Sequence, residues 1–173
     1  MMVTSADTFE NEDEKIAAFA SSDVFEKLFN TGMDLVEETA SYLDGDGRQE
    51  SKRLEKTTAL VYASESMRLT TRLMQTASWL LVQRAVKEGE MSAKDARDPK
   101  YRMGAKAICA ASGNAMSDLP PKLAELLERS QNLYSRIERL DGAMFATADA
   151  PSSNPVNDQM QRLQAAFGNA FGE

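Results

Sequence analysis

Glu65, Arg68 and Arg72 stand at i, i+3 and i+7, so in a helix the three charges share one face. A carboxylate beside two guanidinium groups suits an acid–base site or an anion clamp. The same spacing also fits, more simply, a solvated face of i,i+3 and i,i+4 partners, or an ion pair across a dimer interface. Little else in the chain offers chemistry. The 173 residues contain no histidine, which removes the commonest general acid–base, the Ser-His-Asp and Cys-His pairs and the commonest metal ligand. Cys109 is the one cysteine, set in a run of small residues that suits a packed side chain better than a nucleophile. No Gly-rich phosphate loop of either common kind is present. DGDGRQESKRLE, residues 44–55, imitates a calcium loop with Asp44, Asp46 and Glu55. Arg48 at the fifth position and Gln49 in place of the turn glycine make it an interhelix turn instead. These residues predict no catalytic residue, no cofactor and no metal site.

One further charged group stands out. Lys94, Arg97, Lys100, Arg102 and Lys106 form a basic cluster interrupted by Asp95 and Asp98. It is either a solvated loop or a docking surface for an acidic partner, where complementary charge aids encounter and register.

Three helical elements carry these residues, and nothing reads as a strand. In the first helix Phe25, Leu28, Phe29, Met33, Val36, Ala40 and Leu43 recur at the spacing of one buried face. Asp23 with Glu26 resembles a capping box, and the glycines of DGDG at 44–47 suit a left-handed stop. The second helix, with Asp46 and Gln49 as its cap, meets no strong breaker before Gly89. It is predicted to run about 40 residues, roughly 60 Å. Two seams run along it. Leu60, Ser64, Met67, Thr71, Met74, Ser78, Leu81 and Ala85 make a small/Met seam, most simply core. Beside it lie Ala59, Tyr62, Ser66, Leu69, Leu73, Thr76 and Leu80. Glu65, Arg68, Arg72 and Gln75 make a polar stripe, and Trp79, Val82 and Val86 an apolar end. The third helix, residues 120–142, has the regular a/d seam Leu123, Leu126, Ser130, Leu133, Ile137 and Leu140, widened by Leu127 and Tyr134. Pro120 and Pro121 fit only its first turn, and Gly142 suits the residue after its end.

The expected fold is therefore all-α: an antiparallel three-helix bundle with a long central helix, spanning residues 22–141. The connection at about 90–119 is too long for a turn and should hold short helical pieces, with SAKD at 92–95 and GAKAICAAS at 104–112 as candidates. Residues 1–21 look like a flexible acidic N-terminus, and 142–173 like a flexible tail with a short amphipathic segment at 158–171. The outer helices are each about half as long as the middle one, so part of the middle helix is left uncovered. A homodimer is the economical cover, with Trp79, Val82 and Val86 as the expected interface. The long connection, folding back over that surface, is the other.

Composition sets the setting. With 27% charged and 42% hydrophobic residues, the chain suits one soluble globular domain. A net charge of −7 opposes nucleic-acid binding, which normally needs a basic surface, and disfavours anionic membranes. Apolar runs such as WLLV at 79–82 fall far short of a bilayer span, so no membrane insertion is expected. The first 22 residues have no basic residue before Lys15 and no apolar core of a secretory signal. One cysteine fits a reducing cytoplasm. In the tail, Met160, Leu163, Phe167 and Phe171 step by 3, 4 and 4 and would align on one face of a short helix. So short a peptide is not helical alone, and it suits folding into a partner's groove or onto the exposed part of the second helix.

SESMRLTTRLMQTASWLLVQRAVKEGEMS from Ser64, followed by LPPKLAELLERSQNLYSRIERLD, resembles the RcdA family, regulators of CtrA degradation. The similarity runs from about Ser22 to Asp141, and the wording of the second helix is its specific part. The resemblance implies a dimeric three-helix bundle without enzymatic activity. It implies an adaptor of the ClpXP protease that helps deliver cell-cycle regulators such as CtrA. The response regulator CpdR would first prime the protease, the cyclic-di-GMP-binding adaptor PopA would be a further partner, and localisation would be transiently near a cell pole. The residues themselves stop at a helical interaction module, which also fits a structural homo-oligomeric or localisation scaffold with no protease coupling.

Overall fold

The structure is a computed structural model that describes residues 5–111 and 117–145. The tail residues Met160, Leu163, Phe167 and Phe171 lie outside the described residues. Among the described residues seven α-helices follow one another: α1 Ser5–Ala20, α2 Asp23–Asp44, α3 Asp46–Ser51, α4 Lys56–Lys87, α5 Ala93–Ala96, α6 Lys106–Cys109 and α7 Pro121–Met144. A 3-10 turn, Pro99–Tyr101, lies between α5 and α6. No strand occurs among the described residues, and α2, α4 and α7 form an all-α bundle.

The helix boundaries follow local chemistry, with some corrections. Ser22 caps α2 by accepting from the Phe25 N–H at 3.2 Å, in place of the expected Asp23 box. Asp23 and Glu26 then complement the helix dipole from the first turn. Gly45 is no left-handed stop, since its φ is −106°, and the chain turns at once into α3. The predicted 40-residue helix is thus broken: α3 and the residues 52–55 precede an α4 of 32 residues. The break has a packing reason. Gly47 of α3 is buried against Tyr42 and Tyr62, where a Cβ would lie 2.7 Å from Tyr42 Cε1 and 2.8 Å from Tyr62 Oη. Gly89, at φ +75°, ends α4 as expected. Its N–H donates to Val86 O, and the N–H of Glu90 to Ala85 O, the paired bonds of a Schellman stop.

The buried face of α2 is Phe25, Leu28, Gly32, Leu35, Thr39 and Tyr42, with Phe29, Met33, Val36 and Leu43 on its shoulder. Gly32 sits where three helices meet: a Cβ there would be 2.5 Å from Leu80 Cδ1 of α4 and 3.7 Å from Leu133 Cδ2 of α7. The predicted α7 seam is found, with Leu123, Leu126, Leu127, Ser130, Leu133, Tyr134 and Ile137 buried. Gly142 lies inside α7 rather than after it, because the helix continues to Met144 and Phe145 is anchored.

One feature of the expected antiparallel bundle is corrected. α2 runs antiparallel to both neighbours: Glu26 meets Lys87 and Tyr42 meets Tyr62, while Glu38 pairs with Lys122 and Arg129 near the start of α7. α4 and α7 are parallel, since Arg72 reaches Ser130 and Trp79 reaches Asp141. Parallel neighbours need a return crossing, and residues 88–120 supply it along the flank of α4.

The N-terminal segment is also corrected. Instead of a flexible region up to residue 21, α1 packs on the bundle with Ile16 and Ala20 fully buried. Phe19 meets the Phe25 ring at 5.7 Å and the Trp79 ring at 6.2 Å. The acidic composition suggested solvent, but Ile16, Phe19 and Ala20 form one i, i+3, i+4 stripe that α4 and α2 bury.

Candidate functional site

The polar stripe of α4 is neither a solvated face nor an acid–base site. Glu65 is 1% and Arg72 2% exposed. Arg72 Nε donates to Cys109 O at 3.0 Å, Nη1 to Ser130 Oγ at 2.8 Å and to Leu127 O at 3.4 Å, and Nη2 to Ala110 O at 3.4 Å. Arg68 Nη1 donates to Ile108 O at 3.2 Å, and Arg68 Nε lies 3.8 Å from Glu65 Oε1. Gln75 Oε1 accepts from the Gly104 N–H at 3.2 Å, and the Gly104 carbonyl accepts from Tyr134 Oη at 3.2 Å. The stripe therefore fastens the returning chain at successive carbonyls and ties α7 to it through Ser130. A planar guanidinium with five donors spans such a junction as an ammonium cannot.

Burial sets the proton affinities. Desolvation holds the Arg72 pKa below its usual value. Burial pushes the Cys109 thiol up, with the Arg72 charge opposing it, which makes the thiolate scarce. Tyr134 is raised to about 12, by burial first and then by Cys109 and Glu138. None of these groups presents a base or nucleophile to solvent. Among the described residues, no group of three or more His, Cys, Asp or Glu is placed to hold a metal ion.

A second junction absorbs two residues expected at interfaces. Trp79 is 1% exposed and donates its Nε1–H to Asp141 Oδ1 at 2.9 Å. Arg102 Nε donates to the same oxygen at 2.9 Å, its Nη1 to Phe145 O and its Nη2 to Asp141 O. The Arg102 guanidinium also lies 4.7 Å from the Phe145 ring centre. Trp79 thus belongs to the subunit core, so the expected dimer interface at Trp79, Val82 and Val86 is corrected. Val86 packs against that core and Val82 is half-buried. Asp141 was missed, although a signal existed: an acid in the last turn of a helix opposes its dipole and calls for a nearby cation.

The basic cluster is divided. Arg97 pairs with Asp13 at 2.6 Å and Glu12 at 3.4 Å, holding α1 to the connection, and Arg102 is taken by Asp141. Lys94 and Lys100 remain exposed. Lys100 lies 3.6 Å from Asp98 and 4.8 Å from the Tyr101 ring centre. The open depression beside them is lined by Asp95 and Asp98 as well, so its charge is mixed.

The small/Met seam expected in the core is the outer face of α4. Leu60 is 68% exposed, Met67 72%, Met74 64% and Leu81 53%. The neighbouring seam, Tyr62, Leu69, Leu73, Thr76 and Leu80, is the buried one. No helix among the described residues is long and apolar enough to cross a membrane.

Residues 16–167 match the family described as a protein of unknown function, DUF1465. No curated protein matches the chain. Among solved structures, that of RcdA from Caulobacter crescentus CB15 is 50% identical, with a TM-score of 0.64. The match covers 76% of this chain and 99% of that one. A helical bundle that spends Arg68 and Arg72 on its own crossing chain, matched over nearly all of RcdA at 50% identity, belongs to the RcdA family, DUF1465.

Proposed function

We propose that the protein is a non-enzymatic adaptor in regulated proteolysis, working as a homodimer that helps deliver cell-cycle regulators such as CtrA to the ClpXP protease. The observation that carries this is the 50% identity to RcdA across 99% of that chain. The partners follow from the same kinship: CpdR as the factor that primes the protease, PopA as a further adaptor, and transient residence at a cell pole. The engagement of Arg68, Arg72, Arg97 and Arg102 in internal contacts supports binding over catalysis. Surfaces that remain for partners are the outer face of α4 and the lysines Lys94 and Lys100. We assign coupling to the tail, where Met160, Leu163, Phe167 and Phe171 anchor a short helix in a partner's groove. The linker ahead of them gives roughly millimolar effective concentration at the partner.

The test is cargo turnover by reconstituted, primed ClpXP with the full chain and with a chain ending at Asn157, at matched helicity. Delivery by the full chain and its loss on truncation support the reading. Absence of stimulation by the full chain rejects the adaptor role and favours a structural scaffold, whereas equal delivery by both chains rejects only the role of the tail.

A further inference from the structure

Between α2 and α7 lies a third open surface, and its chemistry selects one kind of occupant. A hollow of about 190 Å³ is lined by Val24, Lys27, Leu28 and Thr31 of α2 and by Leu133 and Arg136 of α7. Its floor is apolar. Leu28 is 3% and Leu133 7% exposed, and Val24 beside them is 53% exposed. The hollow is smaller than the roughly 300–1,000 Å³ of small-molecule sites and suits one anchoring side chain of a peptide.

The charges on its two banks are the second observation. At its other end the seam between α2 and α7 is closed by ion pairs, Glu38 of α2 with Lys122 and Arg129 of α7. At the hollow each helix contributes a cation and neither contributes an acid. The acids nearby in the chain are engaged elsewhere or lie off the hollow. Glu26 pairs with Lys87 of α4, and Glu138 pairs with Lys106. Asp23, one turn before Lys27, neither pairs with it nor lines the hollow. Among the described residues Lys27 and Arg136 make no ion pair, although both are exposed. In a chain of net charge −7, two cations set across an apolar floor repel each other without internal compensation. The complementary charge is left to an occupant.

We propose that this hollow docks an acidic peptide segment of a partner protein. One large apolar side chain sits on Leu28 and Leu133, and carboxylates on either side of it meet Lys27 and Arg136. Exposed ion pairs are individually weak, so the apolar anchor supplies most of the affinity and the cations the selectivity. Nucleic acid is a poorer occupant, because two cations neutralise too little of a phosphate backbone. The proposal deepens the adaptor reading, on which the partner's being a protein rests. No residue of α4 lines the hollow, so its occupant leaves the outer face of that helix open.

The test uses the full chain without protease, so that failure of docking and failure of delivery are read separately. The probes are short labelled peptides with Leu, Ile, Met or Phe between paired Asp and Glu residues, followed by fluorescence anisotropy and methyl NMR. At least one should bind saturably with a Kd below about 1 mM and shift the methyl signals of Val24, Leu28 and Leu133. Replacing its central residue by Ser, or its acids by Asn and Gln, should weaken it roughly tenfold. A Lys27→Glu, Arg136→Glu double variant should lose the acidic peptide at unchanged helicity and bind instead its counterpart with Lys and Arg for the acids. That exchange excludes mere damage to the fold. No saturable binding by any of the peptides, binding that the reversal leaves unchanged, or shifts confined to other methyls overturns the proposal. Tighter binding after removal of residues 158–173 would put the chain's own tail in the hollow, and a changed molar mass of the double variant a second copy; either overturns the partner.

Discussion

At the scale of single residues, side chains that sequence spacing marks as reactive are structural. Arg72 has four acceptors on two segments, the returning chain and α7, so its loss orphans buried carbonyls as well as opening space. Arg72→Met should cost about 2–4 kcal/mol of stability, read as a lower denaturation midpoint in urea. Arg72→Lys should recover only part, because one ammonium cannot reach acceptors on both sides of the junction. Trp79→Phe should cost about 1.5 kcal/mol, with Arg102 still satisfying Asp141, and should leave the molar mass of the folded protein unchanged. A change in its mass would return Trp79 to an interface. Glu38 is a different case. Hydrogen bonds from Lys122 and Arg129 hold its carboxyl below the ordinary 4.5. A depressed carboxylate stabilises the fold above its unfolded pKa, and this is lost as pH falls through the lower folded value. Glu38→Gln should therefore cost roughly 0.5–1 kcal/mol at neutral pH, a value discounted for solvent screening of partly exposed pairs. Thermal melts should show that difference constant down to about pH 4.5 and shrinking below it.

At the scale of elements, α1 and the crossing chain are what turn three helices into one core. α1 buries Ile16 and Ala20, sets Phe19 against Trp79 and is held by Arg97. Deleting residues 1–21 should lower stability by roughly 2–4 kcal/mol, the lost burial offset by the ordering entropy of a helix no longer fixed. The emission of Trp79, the one tryptophan, should move to longer wavelength as its cover is removed. Unchanged stability and emission would mean that α1 does not cover Trp79 in solution. The α7 seam was legible because Leu123, Leu126, Leu133 and Ile137 hold one register with nothing competing. α4 was harder, since it carries apolar residues on opposite faces, and periodicity finds faces without saying which one meets the core.

At the scale of the whole molecule, the parallel pairing of α4 and α7 decides which surfaces remain. The return chain covers the Arg68 and Arg72 flank, α2 and α7 cover the inner face, and Leu60, Met67, Met74 and Leu81 stay outside. A tail that couples to a partner and not to this core predicts that ending the chain at Asn157 leaves the urea midpoint within about 0.5 kcal/mol of the full chain. A larger drop would show that the tail packs on the bundle.

The sequence by itself determined the bodies of α2, α4 and α7, the glycine stop at Gly89 and the α7 seam, because glycine stops and 3.5-residue spacing are local properties of the chain. The same holds for the apolar residues of α4 as a set, whereas α1 and the break between α3 and α4 were not legible in the sequence. Only the tertiary structure decided that Glu65 and Arg72 are buried, that Trp79 lies in the core and that the small/Met seam does not. Those outcomes depend on where residues 102–111 run, and the path of a long connection is chosen by the carbonyls it can pair and the volume it can fill. A side chain's neighbours along the chain record neither.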